Sequence, residues 1–175
     1  MNAGGEATHQ RDRRFIALHR GGLLTAPDHR ALMRWALATT RHLLGHCPYE
    51  CDAQLEEALK IAERWGDGNA TAREAMAASR GLHRKARSMS CPSAVYCYRI
   101  AAHALATAHM ADHALGPLYY GQKLFVLLNH PFDEELAWMH VQLKVICPQM
   151  EEAVISVLSN RFSIQLCAGT AGTSE

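Results

Sequence analysis

No apolar run in this sequence approaches the roughly eighteen residues that a membrane-crossing helix needs, and the opening stretch MNAGGEATHQRDRR lacks the apolar core of a secretory leader. Membrane insertion and secretion are not expected, and a cytoplasmic location is. Aromatic residues are scarce at 7% and the formal charge is only +1, so composition builds neither a stacking platform for bases nor a strongly charged binding surface. The sequence has no glycine-rich phosphate loop, no G-x-S-x-G elbow and no E-x-x-H pair. Phosphate cradling, an α/β-hydrolase nucleophile and a di-iron bundle are thereby set aside. The reading is of a protein that is not an enzyme and carries no cofactor. The six cysteines, at positions 47, 51, 91, 97, 147 and 167, fall in no paired framework, and Cys47-x-x-x-Cys51 has the wrong spacing for a thioredoxin-type couple. They read as reduced packing residues in a chain large enough to do without staples.

What is present is helix. The chain has 175 residues, 49% hydrophobic and 20% charged, which suits one folded domain of about 14–162 between mobile tails at 1–13 and 163–175. Thr25-Ala-Pro-Asp28 is a capped start for a first helix to about Gly45, with Leu32, Trp35, Ala36, Leu43 and Leu44 on one stripe. Asp52 caps a second helix carrying Leu55, Leu59, Ile61, Ala62 and Trp65, and Thr71 with Glu74 opens a third through about Arg87. Shorter helices follow over 118–128, from Asp133, and from Met150 to about Phe162. No strand alternation competes, so the predicted fold is an all-α bundle of about six or seven helices.

The centre of that bundle is expected at 96–115, YCYRIAAHALATAHMADHAL, where seven alanines in twenty residues give the strongest helix propensity in the chain. Small side chains let neighbours approach closely. The same stretch holds His103, Thr107, His109, Asp112 and His113, which need partners if they are to sit in a core. In a continuous helix His109 and His113 lie one turn apart beside Asp112, the spacing of a metal pair, with Glu134 or Glu135 as a third ligand. His103 would then stand roughly 15 Å from His113 at 1.5 Å per residue, outside any shared site. Against metal binding stands the reading that these five residues form a structural polar cluster holding the helices in register. A polar cleft beside Tyr96, Arg99, His103 and Thr107 is a further alternative. The basic run Arg80, His83, Arg84, Lys85 and Arg87 suits the carboxyl end of the third helix. Without interleaved aromatics it argues against nucleic acid and leaves an acidic protein partner open. Eleven histidines would make the chain distinctly more cationic near pH 6.

The run AAHALATAHMADHALG, preceded by Arg34-Trp35-Ala36 and followed by Leu136-Ala-Trp-Met-His-Val-Gln-Leu143 and Pro148, resembles the putative immunity proteins of bacterial polymorphic toxin systems, a family of small helical proteins. The resemblance runs from about Arg14 to Arg161. It implies a cytoplasmic antidote that binds a cognate toxin and occludes it without chemistry of its own. The faces expected to meet the toxin are those the bundle does not need, on the second and third helices, including Glu56, Glu63, Arg84 and Lys85. A metal-binding helical protein or metal-dependent hydrolase using His109, Asp112 and His113 is the alternative, and self-association as a homodimer stays open.

Overall fold

The computed structural model describes residues 11–162; positions 1–10 and 163–175, which hold most of both expected tails, lie outside the described residues. Helix starts follow local chemistry. The Thr25 hydroxyl accepts the Asp28 N–H at 3.2 Å and opens α1 (Ala26–Gly45), while Asp52 accepts the Leu55 N–H at 3.0 Å and opens α2 (Ala53–Gly66). At α3 (Ala72–Arg87) the box is reciprocal: Thr71 accepts the Glu74 N–H and the Glu74 carboxylate accepts the Thr71 N–H. α4 (Pro92–Ala106) begins on a proline, whose missing N–H costs nothing in a first turn. α5 (Gly116–Leu128) closes at Asn129, which takes the left-handed conformation (φ 56°), and α6 (Asp133–Ile146) and α7 (Glu151–Val157) complete the order. Among the described residues the fold is all helical, with no strand.

α4 occupies the middle, packed by α1, α2, α3 and α5. Tyr98, Ile100, Ala101, Ala102, Ala104 and Leu105 on it are fully buried. The alanines allow close approach, and Ser79 of α3 donates to the Ala102 carbonyl at 2.8 Å. α1 supplies the bulk of the core through Leu32, Met33, Trp35 and Leu43, and the Trp35 indole N–H donates to the Met139 carbonyl of α6 at 3.0 Å. α3 buries only Ala75, Ser79, Leu82 and Ala86 and lies as an outer layer. Before α1, the segment from Arg11 forms two short 3-10 turns that seat Phe15 and Leu24 in the core.

Two expectations are corrected. The alanine-rich stretch is not one helix to Leu115: α4 ends at Ala106, a turn through Thr107–Met110 follows, and Ala111–Leu115 is a 3-10 turn leading into α5. The Thr107 carbonyl, which would accept the Ala111 N–H in a continuous helix, is bonded instead by Nε2–H of His29 at 2.6 Å, and Met110 is extended (φ −142°, ψ 111°). Gly116 and Pro117 open α5 directly from that turn. α5 runs back along α4, with Gly116 against His103 and Tyr120 against both His103 and Tyr96. The cysteines are corrected too, because Cys47 and Cys97 are joined in a disulfide across 50 residues of sequence, while Cys51, Cys91 and Cys147 are free thiols. The break in helix after α1 carries Cys47 to α4, a proximity that spacing could not express.

Candidate functional site

The reversal after α4 gathers imidazoles that a straight helix would have kept apart. The His103 and His113 rings are 5.3 Å apart between centroids, against the roughly 15 Å that a continuous helix would impose. His83 of α3 meets His103 edge to face at 5.2 Å, and Tyr120 of α5 covers it at 5.0 Å. Arg99 donates from Nη1 to His83 Nδ1 at 2.8 Å, which fixes His83 as the neutral Nε2–H tautomer. His103 Nδ1 has no hydrogen-bond partner among the described residues and lies against Gly116, where a Cβ would come within 2.6 Å of it.

The electrostatics follow from that crowding. Burial, reinforced by His113, His83 and Arg99, pushes His103 down to about 3. Burial, with Arg99, Arg87 and His113 close by, takes His83 down to about 4. His29, half-buried behind the turn, is also lowered by desolvation, despite its bond to the Thr107 carbonyl. These rings are neutral hydrogen-bonding and packing groups at neutral pH.

A cavity of about 220 Å³ opens beside the cluster, lined by His103, Met110, Asp112, His113, Tyr119 and Tyr120 among others. A second, of about 250 Å³, lies on the other side of the turn and includes Arg11, Phe15, His29, Trp65 and His109. Of the sequence candidates, His103 and His113 are thus brought together and Thr107 is buried at the turn. His109 is exposed on the second cavity. Asp112 forms a two-pronged ion pair with Arg11, both contacts at 3.2 Å, tying the N-terminal segment to the turn. His109 and His113 do not share a helical face, because the backbone between them is a turn followed by a 3-10 segment.

Outside the cluster, α3 presents Arg73, Arg80, Arg84 and Arg87 to solvent, and none of them has a carboxylate within ion-pair distance among the described residues. Lys85 is half-buried. On α2, Glu63 is already paired with Arg41 at 2.5 Å, and Glu56 is half-buried. A groove of about 310 Å³ separates the two helices, floored by Ala58, Ile61, Ala78 and Leu82.

Sequence reasoning missed His83 as a neighbour of His103, having assigned it only to the basic run. It also passed over His42 and His46, one helical turn apart at the end of α1, whose ring nitrogens lie with a carboxylate oxygen of Glu135 within 4.8 Å of one another. The i, i+4 spacing was the available signal; the third member is visible only in the fold. In comparison with known proteins, a family model described as Imm-5 like putative immunity protein matches residues 22–146. Neither the curated proteins nor the solved structures compared with the chain gave a match.

Proposed function

Because the chain belongs to the Imm-5 like putative immunity protein family, whose model spans α1 to α6, we propose that it is the antidote to a cognate toxin, binding that protein and occluding its working surface without catalysis. The observation that carries the reading beyond the family is the outer face of α3. Its buried side consists of small residues and Leu82, anchored by the Ser79 and His83 hydrogen bonds to α4, so the arginines at 80, 84 and 87 are not needed to hold it; they recur at i, i+4 and i+7 with no carboxylate at ion-pair distance among the described residues. Such a stripe suits an acidic patch on a toxin. Complementary charge accelerates association and fixes orientation, and arginine is well suited to holding carboxylates at an interface. Behind the stripe, the His83, Arg99, His103 and His113 cluster keeps α3, α4 and α5 in register, so the face is presented on a rigid support. On this reading the protein works within a bacterial polymorphic toxin system.

The test is co-expression with a candidate toxin-domain protein. Cells making both should grow where cells making the toxin alone do not, and the two proteins should co-purify. Reversing Arg80, Arg84 and Arg87 to Glu together should abolish rescue and weaken the complex while the thermal unfolding midpoint of the free protein stays within a few degrees. Full rescue by the triple variant would remove α3 from the interface, and failure of the parent protein to rescue would remove the function.

A further inference from the structure

The end of α1 and the start of α6 meet in a group with a different chemistry. His42 in the last turn of α1 and His46, which caps that helix, stand one turn apart, and Glu135, in the first turn of α6, is aimed between them. The Glu135 carboxylate bonds His42 Nε2 through one oxygen and lies 3.5 Å from His46 Nε2 through the other. We propose that His42, His46 and Glu135 are a three-ligand site for a zinc-class divalent cation, holding α1 to α6 and leaving a further position open to solvent.

Several features of the group favour an ion there. Two imidazoles and one carboxylate are a recurring zinc donor set with an open coordination position, and the nitrogen donors select against calcium and magnesium. Ligands on a tetrahedral ion at about 2.0–2.1 Å stand a little over 3 Å from each other, so the 3.5 Å separation of His46 and Glu135 is already near the required span. The rings are also held. His42 stacks on Trp138, centroids 3.8 Å apart and planes within 8°, and His46 leans on Phe125 at 5.2 Å. Trp138 follows Glu135 by three residues, so one turn of α6 supplies both the carboxylate and the wall that orients its partner. Glu135 is only 13% exposed, whereas His46 is 38% exposed, which gives the ion an entry path. The carboxyl end of α1, where the backbone carbonyls point, adds favourable potential for a cation. The site lies apart from the His103 cluster and does not depend on the toxin-binding reading.

The experiment uses the full chain without an affinity tag, stripped with chelator and titrated with Zn²⁺ alone in competition with a chromophoric indicator. The parent protein should take up one equivalent. His46→Ala, chosen because its side chain lies at the exposed end of α1, and Glu135→Gln should each weaken binding by more than the ~10- to 100-fold that loss of an outer-shell partner costs. His109→Ala, which removes an exposed imidazole elsewhere, should bind as the parent does. Zinc should raise the melting midpoint of the parent and of His109→Ala but not of Glu135→Gln. Absence of stoichiometric uptake by the parent, or parent-like affinity in His46→Ala and Glu135→Gln, overturns the site.

Discussion

Lowering the pH should destabilise this protein well before its carboxylates titrate, and the His103 cluster sets the size of the effect. The unfolded chain takes up a proton on each histidine near its ordinary value of 6.5, whereas folding holds His103 at about 3 and His83 at about 4. Above pH 7 both states are neutral at these positions and stability is at its full value. As the pH falls through 6.5 the unfolded state binds more protons than the native one, and stability is lost until the folded values are reached. Two pH units below 6.5, His103 alone accounts for about 2.7 kcal/mol, at about 1.36 kcal/mol per unit. His83 is more open to solvent, so its share is smaller than its shift implies. The carboxylates that folding pulls down, Asp12, Asp52, Glu74 and Glu151, begin to matter only below their ordinary values of 3.8 to 4.5, which leaves the window from about pH 4.5 to 6.5 to the histidines, His29 included. The assay is urea unfolding at half-unit pH intervals on the parent and on His103→Gln, which removes one titrating group. The parent should lose stability across the window, and the variant should lose less, by close to one proton in slope. A parent profile flat from pH 7 to 4.5, or an unchanged slope in His103→Gln, would refute the assignment.

Three further outcomes are expected. Breaking the Cys47–Cys97 disulfide with reductant or by Cys97→Ser should lower stability by up to about 4 kcal/mol, the chain-entropy value for a loop of this length, read as a fall in urea midpoint; equal midpoints with and without reductant would show that the bond does not form. Gly116→Ala should destabilise by about 1–3 kcal/mol despite the better helix propensity of alanine, because its Cβ would meet Cβ, Cγ and Nδ1 of His103 at 2.4–2.6 Å; unchanged stability would mean that α4 and α5 are further apart than described. Thr39→Val should be neutral or stabilising by up to about 1 kcal/mol in the same unfolding assay, since the buried Thr39 hydroxyl has no partner among the described residues, and a loss above that would reveal a hydrogen bond it makes.

The helix starts were legible because their causes are local. Thr25, Asp52 and the Thr71 and Glu74 box lie within three residues of the N–H groups they satisfy, and the α1 stripe at Leu32, Trp35, Ala36 and Leu43 is buried as its spacing required. The break at Thr107 was not legible. Alanine propensity favours helix straight through it, and the groups that end α4 are His29, 78 residues earlier in sequence, and the packing of Gly116 on His103. That one misjudged boundary misplaced the site residues, separating His103 from His113 and joining His109 to it. The disulfide escaped for a similar reason, as loops and helices bring Cys47 to Cys97 and no spacing rule encodes that. Glu135 had been weighed as a third metal ligand for His109 and His113; in the fold it faces His42 and His46.

The proposed neutralisation of a toxin by binding is tested most directly by an inhibition titration. A toxin-domain protein against which this chain protects cells is assayed for its own activity while the purified chain is added in increasing amounts. The account predicts activity falling in proportion to added protein and reaching zero at one equivalent, with both proteins recovered intact in a single complex. Undiminished activity at a large excess, or inhibition by substoichiometric amounts that leaves the toxin chemically altered, would contradict it.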